Sequence, residues 1–176
     1  KQLWLLDLKD KSLKRITSGG YYVNQVLHVD KKNKVILFLA SGKEPGRNPY
    51  HQHLYRLDLS TGKETLLTPE DVNHEVSVSP DGLWFTDQQS TVNQPTRTVL
   101  NSLNPKTLPV EISRADISAL SALTGFRLPE PFTAIARDNK TIIHGAMWKP
   151  TTFDPSGKYP VIDQTYTGPH TFMFPR

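Results

Sequence analysis

Few residues of this chain have the type and spacing that chemistry requires. His51 and His53 alternate, so a strand would place both imidazoles on one face, where they could provide two ligands of a metal. No third ligand follows at a telling distance, so we interpret them as a hydrogen-bonded surface pair and predict no metal site. Asp7 and Asp58 occupy equivalent places in two similar segments. A catalytic pair is conceivable, but equal placement in repeats indicates a structural task, such as accepting hydrogen bonds from backbone N–H groups of a turn.

Tyr166 is the remaining candidate. The segment from Tyr159 to Tyr166 is predicted to be a strand, and it runs directly into Thr167-Gly168-Pro169. A strand that ends in this way presents its last side chain at the edge of a sheet, where an active site can use it. The structural alternative is a tyrosine that packs on the core beside the Gly-Pro dipeptide.

Several kinds of chemistry are absent from the sequence. The chain has no cysteine, which excludes disulfides, thiolate catalysis and cysteine-ligated zinc. It also has no G-x-S-x-G segment, so no serine can be assigned as the nucleophile of a hydrolase. The net charge is a modest +4, and the basic residues 31–34 lack the interleaved aromatic side chains of a single-strand binder, so no nucleic-acid partner is predicted. No apolar run approaches the ~20 residues of a transmembrane helix.

A repeated β-hairpin organises the first hundred residues. Residues 54–59, a Ser-Thr-Gly-Lys turn and residues 64–68 predict one hairpin, in which Gly62 is free to adopt a positive φ. Residues 3–17 match this pattern without a gap at an offset of 51 positions, and residues 98–106 form a weaker third copy. Several short strands in a period of roughly 40–50 residues are typical of β-propeller blades. Two similar hairpins of a β-sandwich are the alternative.

The segments between the hairpins supply the other strands. Residues 21–28, the continuous apolar run 35–40, residues 73–78 and residues 83–87 are all predicted strands. The apolar run suits a strand that is buried on both faces, as in packed blades. A polar loop is predicted over residues 88–96 before the strand 97–103. Ser79-Pro80-Asp81-Gly82 is a strong turn signal.

The pattern changes after residue 112. Residues 113–116 have the spacing of a capping box, Ile117, Leu120 and Leu123 fall on one helical face, and Gly125 suits a helix end. Residues 128–131 form a stiff linker, and residues 132–137 and 141–149 predict two strands across an Asp138-Asn139 turn. We therefore predict three parts: blades over 1–112, a helical linker over 113–131, and a new domain over 132–176.

The join between these parts resembles a known family. Phe153-Asp154-Pro155-Ser156-Gly157-Lys158-Tyr159-Pro160-Val161, followed by Tyr166-Thr167-Gly168-Pro169, is similar to the start of the peptidase domain in the prolyl oligopeptidase family, in its dipeptidyl peptidase IV branch. The resemblance covers essentially the whole chain. It implies a mainly β fold: the C-terminal blades of a β-propeller, then the first strands of an α/β-hydrolase domain, truncated here.

The resemblance also implies a function for the parent protein. That protein would be a serine peptidase that removes N-terminal dipeptides with proline or alanine in second position, through an acyl-enzyme and without a cofactor. Its triad and the acidic pair that holds the substrate amino terminus would lie outside this chain, and Tyr166 matches the tyrosine of the oxyanion hole. Peptides are the expected partners, and a homodimeric parent is an option. Export to a periplasm or to the cell surface is the expected location.

The isolated chain is expected to be inactive, because it lacks the nucleophile. The alternative function is a non-catalytic β-propeller binding module. A G-x-S-x-G segment beyond Arg176 in the parent gene would distinguish the two.

Overall fold

The computed structural model describes residues 1–124 and 126–165, and these residues are almost entirely β-structure. The elements, in chain order, are β1 (Trp4–Leu6), β2 (Leu13–Arg15), β3 (Tyr22–Asp30), β4 (Val35–Ser41), β5 (Gln52–Asp58), β6 (Glu64–Leu66), β7 (Asn73–Val78), β8 (Trp84–Thr91), β9 (Gln94–Ser102), β10 (Val110–Arg114), α1 (Ser118–Thr124), β11 (Glu130–Ile135) and β12 (Ile142–Met147).

These strands form antiparallel sheets in which chain neighbours pair. The first four-stranded sheet has the order β3-β4-β5-β6, and the second has the order β10-β9-β8-β7. Strands β1 and β2 form a separate hairpin, as do β11 and β12. Two four-stranded antiparallel meanders preceded by a hairpin are the arrangement of successive propeller blades, which confirms the predicted fold class.

Strand β4 is the centre of the core. All seven of its residues are buried, as the continuous apolar run predicts. On one face Ile36, Phe38 and Ala40 join a cluster to which Leu3 and Ile16 of the β1–β2 hairpin are packed. The opposite face carries three other apolar side chains, Val35, Leu37 and Leu39. Burial of each large side chain of this kind stabilises the fold by about 1.5–3 kcal/mol.

The other face of β4 joins the two sheets. Val35, Leu37 and Leu39 form a second cluster with Val76 of β7 and Phe85 of β8. Because successive strand residues point to opposite faces, one apolar strand serves both neighbours. This packing explains why β4 shows no polar alternation.

Turn chemistry sets the predicted hairpins. Gly62 has a φ of 72°, as expected for the turn between β5 and β6. Asp58 Oδ1 accepts hydrogen bonds from the N–H groups of Ser60 and Thr61, at 2.8 and 3.1 Å. Asp7 Oδ1 likewise accepts one from Lys9 N–H, at 2.8 Å. The structural interpretation of the two repeated aspartates is confirmed, and these N–H bonds lower the pKa of Asp58.

The second sheet differs from the sequence-based prediction in two places. The polar loop predicted over residues 88–96 is wrong, because β8 continues to Thr91 and β9 begins at Gln94. Polar residues suit these strands because Gln88, Gln94 and Thr96 are exposed, while the buried Gln89 is hydrogen-bonded to Asp87. The prediction also missed β10, which pairs with β9 and contains Ser113 and Arg114.

The helix therefore begins later than predicted. The capping box at Ser113 is wrong, because strand pairing with β9 takes residues 113 and 114. Asp116 caps the helix instead, since its Oδ1 accepts the N–H of Ser118 at 2.8 Å. Of the residues predicted to share one helical face, Ile117 is half-buried, while Leu120 is 44% exposed.

The hairpin of β11 and β12 confirms the two strands predicted after the linker, with Phe132 opposite Gly145. The strand predicted from Tyr159 is wrong over its described part, since residues 159–165 are not in a strand. No described segment pairs with these residues, and an extended segment without a paired neighbour gains no ladder hydrogen bonds. Val161 and Ile162 are 90% and 93% exposed.

The described residues divide into two compact units. One contains Lys1–Ser90 and Thr96–Arg114, and the other contains Thr91–Pro95 with the described residues from Ala115 on. The three domains predicted above, with bounds at 112 and 131, stay a prediction. Among the described residues, no helix is both long and apolar enough to cross a membrane.

Candidate functional site

Tyr166, the site residue that the sequence predicts, lies outside the described residues. The described part of the chain instead contains two clusters of polar side chains that were not predicted from the sequence. One lies where the two four-stranded sheets meet, and the other lies beside the loop that joins β4 to β5. Both belong to the first compact unit.

The first cluster, named here the histidine joint, contains His53, Thr68, His74, Asp87 and Gln89. All five side chains belong to buried residues, and His51 is buried as well, so the surface location predicted for His51 and His53 is wrong. They come from β5, the segment after β6, β7 and β8. The joint therefore connects the first sheet to the second.

Within the joint, His74 is held at both ring nitrogens. Its Nδ1 lies 2.9 Å from a carboxylate oxygen of Asp87, and its Nε2 lies 3.0 Å from the carbonyl oxygen of Glu70. Both partners are acceptors, so a ring that is protonated at both nitrogens donates to each of them. Gln89 Nε2 donates a further hydrogen bond to Asp87, at 2.8 Å.

This geometry excludes two kinds of role for His74. A general base or a metal ligand needs an imidazole nitrogen that is open to its partner, and both ring nitrogens of His74 are already engaged within the fold. The His74–Asp87 pair therefore resembles part of a catalytic triad only in its residue types. It is a buried, fully hydrogen-bonded structural pair.

His53 lies against this pair but is bonded differently. Its Nδ1 lies 3.0 Å from the carbonyl oxygen of Thr68, so Nδ1 carries the proton and donates it. Its Nε2 is buried and has no hydrogen-bond partner among the described residues. The His53 and His74 ring centroids are 5.0 Å apart. Burial is the largest cause of a lowered pKa at His53, which keeps the ring neutral.

Backbone hydrogen bonds fix the joint in place. Leu54 N–H donates to Thr68 Oγ1 at 2.9 Å, and Gln52 N–H donates to Asn73 Oδ1 at 3.1 Å. The second bond links β5 of the first sheet to β7 of the second. The side chains of Thr68 and Asn73 thus accept hydrogen bonds from backbone N–H groups of β5 at the point where its strand pairing ends.

The second cluster, named here the tyrosine–lysine cluster, contains Tyr21, Lys43, Glu44, Tyr55 and Glu64. Lys43 forms an ion pair with Glu64. Its ammonium also lies 4.3 Å from the Tyr21 ring centroid and 5.1 Å from that of Tyr55. Such a cation over two aromatic faces is stabilised by the ring quadrupoles.

The hydroxyl groups of the two tyrosines complete this cluster. Tyr21 OH donates to Glu64 at 2.8 Å, and Tyr55 OH donates to Glu44 at 2.7 Å. Burial, followed by these bonds to carboxylates, raises the pKa of both phenols. Both tyrosines therefore stay neutral and act as donors, which anchors the start of the β4–β5 loop.

Neither cluster has the composition of an active site. A triad needs a nucleophile whose proton passes to a free imidazole nitrogen; His74 offers no such nitrogen, and the free Nε2 of His53 has no hydroxyl or other hydrogen-bond partner among the described residues. In residues 1–124 and 126–165, no three side chains of histidine, aspartate or glutamate are placed to hold a metal ion. The described clusters are joints of the fold.

The sequence contained a signal for the joint that the prediction did not use. Strand β7 pairs with β8 so that Val76 is opposite Asp87. His74 is two residues before Val76, which makes His74 and Asp87 diagonal neighbours on one face of the sheet. Alternation in β7 and β8, combined with the register set by the Ser79-Pro80-Asp81-Gly82 turn, would have placed them together. His53 lies on a strand of the other sheet, and no feature of the sequence indicated its contact with His74.

Comparison with known proteins shows what the chain is similar to. Of the relatives, "Probable dipeptidyl peptidase 4" of Aspergillus fumigatus is 25% identical over 170 residues, which is 95% of this chain and 21% of that protein. Dipeptidyl peptidase 4 of Arthroderma otae is 26% identical over 160 residues, which is 88% of this chain and 20% of that protein. The chain thus spans about a fifth of the length of these relatives.

A solved structure has the same fold. A crystal structure of a candidate dipeptidyl aminopeptidase IV from Bacteroides ovatus superposes with a TM-score of 0.64, at 24% identity. The superposition covers 85% of this chain and 20% of that one. At this identity the likeness shows the fold alone.

The family model for the dipeptidyl peptidase IV (DPP IV) N-terminal region matches residues 1–96, which include the first hairpin, the first sheet, β7, β8 and the start of β9. This match covers more than half of the chain. The chain therefore belongs to the dipeptidyl peptidase IV N-terminal region family.

Proposed function

We propose that this chain is part of a serine exopeptidase that removes dipeptides from the amino terminus of peptides by acyl-enzyme chemistry. In this proposal the chain supplies propeller blades as a scaffold. Residues 132–176 supply the beginning of an α/β-hydrolase domain, after a linker at 113–131. The nucleophile, its base and the groups that hold the substrate amino terminus come from other parts of the protein.

The extent of the similarity carries this proposal. The family model ends at residue 96, but the match to the Aspergillus fumigatus relative covers 95% of the chain. It therefore continues well into the second unit, which contains the β11–β12 hairpin and the Phe153 to Val161 segment. A propeller-only protein would have no reason to share that second part with dipeptidyl peptidases.

Tyr166 has a chemical role in this proposal. Attack on a peptide carbonyl produces a tetrahedral intermediate with negative charge on the former carbonyl oxygen. A phenol O–H directed at that oxygen stabilises the charge, together with a backbone N–H beside the nucleophile.

The test is Tyr166→Phe in the full-length protein. The ring is retained, so the protein should still fold, while the transition-state hydrogen bond is lost. We expect kcat to fall by about 10²–10³, which corresponds to ~3–4 kcal/mol, with little change in KM. Steady-state kinetics on a dipeptidyl anilide measures this.

Tyr159→Phe is the matched control, because it makes the same chemical change at a tyrosine whose hydroxyl oxygen accepts a hydrogen bond from Asp154 N–H at 2.8 Å. It should leave kcat within a few-fold. A folded Tyr166→Phe protein with near wild-type kcat would reject the oxyanion role and support the packing alternative.

The proposal also predicts that this chain alone hydrolyses no peptide. The reason is that none of its serines lies in a G-x-S-x-G segment. The measurement is release of a chromophore from a glycyl-prolyl anilide by the purified chain. Turnover that co-purifies with the chain through successive columns would contradict the proposal.

A further inference from the structure

The histidine joint contains a titratable group that the peptidase proposal does not use. His53 is 2% exposed and His74 is fully buried, at the contact between the first and second sheets. Every hydrogen-bonding atom of the His74 ring is engaged. His53 engages one ring nitrogen and leaves the other, Nε2, with no partner among the described residues.

The joint is built for a neutral His53. The Thr68 carbonyl oxygen takes the Nδ1 proton, and the buried Nε2 remains an unprotonated acceptor. A second proton on Nε2 would create a buried cation whose new N–H has no acceptor. Such a group costs several kcal/mol when it is uncompensated, so the joint must open to hydrate it.

The surrounding charges do not compensate that cation. The His74 ring centroid lies 5.0 Å from that of His53, and the Asp87 carboxylate behind it is already paired with His74. Arg47 on the β4–β5 loop adds a repulsive charge, while Glu44 on the same loop is attractive. Glu44 in turn accepts the Tyr55 hydroxyl.

We propose that the histidine joint is an acid-sensitive contact between the two blades, in which protonation of His53 at Nε2 loosens the packing of β5 against β7. At neutral pH the contact is closed and His53 is neutral. On acidification the open form takes up a proton that the closed form excludes.

The direction of the effect follows from linkage. In the open or unfolded state a histidine gains its proton below about pH 6.5, whereas burial lowers the pKa of His53 in the closed state. Between these two values the open state binds one more proton. Stability contributed by the neutral ring is therefore complete above about pH 6.5 and is lost as the pH falls below it. The opening equilibrium constant rises by up to about tenfold per pH unit.

Hydrogen exchange of the full-length protein tests this. Protection of peptides that cover β5 and β7 is compared at pH 7.5 and 5.5, after correction for intrinsic exchange. We expect wild type to lose up to about tenfold in protection, and His53→Gln, whose side chain does not titrate, to lose none. The loss of protection in His53→Gln is subtracted from the loss in wild type, because the contributions of the other titratable groups are common to both proteins and cancel.

His144→Gln is the matched control, because it removes a half-buried histidine from β12 and should retain the wild-type loss. The nitrogen NMR signal of the His53 ring is a second measurement that needs no variant. We expect its titration midpoint in the closed state to lie below that of an ordinary histidine. Equal acid sensitivity in wild type and His53→Gln, or a His53 ring that titrates near pH 6.5 in the closed state, would overturn the proposal.

Discussion

At the residue scale, His74 and Asp87 stabilise the fold only as a pair. Both are essentially fully buried, so the polar group of either one alone would lack its partner. We expect Asp87→Asn to destabilise the protein by on the order of 3 kcal/mol, because removing one partner of a buried pair leaves the other unpaired. Thermal or denaturant unfolding measures the loss.

The neighbouring Glu75 provides the control for this change. It is exposed on the same strand as His74, and Glu75→Gln removes the same charge. Its effect should stay within about 0.5 kcal/mol, as for ordinary surface substitutions. Equal effects of the two variants would mean that the buried pair contributes nothing.

Gly82 and Gly62 allow a similar comparison of backbone and steric costs. Both have positive φ, at 69° and 72°. A Cβ at Gly82 would overlap the ring of His28, whereas one at Gly62 would meet open space. We expect Gly62→Ala to cost about 1–2 kcal/mol for the left-handed conformation alone, and Gly82→Ala to cost more.

The excess cost should depend on His28. In a His28→Ala background, the cost of Gly82→Ala should fall to that of Gly62→Ala, because the overlapping ring is gone. A double-mutant cycle on unfolding free energies measures the difference. If Gly82→Ala still costs more than Gly62→Ala in the His28→Ala background, the extra strain lies elsewhere in the turn.

At the scale of elements, the tyrosine–lysine cluster fixes the loop between β4 and β5. We expect Lys43→Ala to lower stability by about 1–2 kcal/mol, because it removes an ion pair and two cation–π contacts that are shielded from water. Limited proteolysis within residues 42–50 should become faster.

Lys63→Ala, at an exposed lysine beside Glu64, is the control for Lys43→Ala and should change neither the stability nor the rate of proteolysis. An intact loop in Lys43→Ala would assign the anchoring to Arg47, which donates to the Pro69 carbonyl at 2.8 Å.

Elements were predictable where local signals agree with packing. The apolar run of β4 and the turn glycine at position 62 predicted a buried strand and a hairpin, and both are confirmed. The same reasoning failed where tertiary pairing overrides local pattern, since Ser113 belongs to β10 rather than to a helix cap. The histidine joint was missed because its contact of β5 with β7 depends on how two sheets pack, which no spacing along the chain encodes.

At the scale of the molecule, the sheets of the first compact unit share their apolar faces. Strand β4 packs on the β1–β2 hairpin through one face and on β7 and β8 through the other. Repeats of this kind draw stability from the interfaces between neighbours rather than from each unit alone. Substitutions at the histidine joint should therefore affect both sheets together.

We expect the purified chain of 176 residues to be poorly stable or to self-associate. Large apolar side chains are exposed on both small hairpins. In β1–β2 they include Trp4, Leu5 and Leu6, each 50% exposed or more, and in β11–β12 they include Ile135 and Ile142, at 71% and 58%. Exposed apolar patches of this kind drive association. Size-exclusion chromatography with a thermal melt is the measurement.

A variant of the β11–β12 hairpin separates this cause from others. Ile135 and Ile142 are opposite each other, so Ile135→Thr with Ile142→Thr removes an exposed apolar pair while retaining side chains that favour strands. We expect association to decrease in this variant and to persist in Thr133→Ser, which leaves the apolar surface unchanged. A sharp monomer peak with a cooperative melt in the unmodified chain would contradict the prediction. It would also weigh against the blade assignment, because blades without their neighbours should not behave as an independent domain.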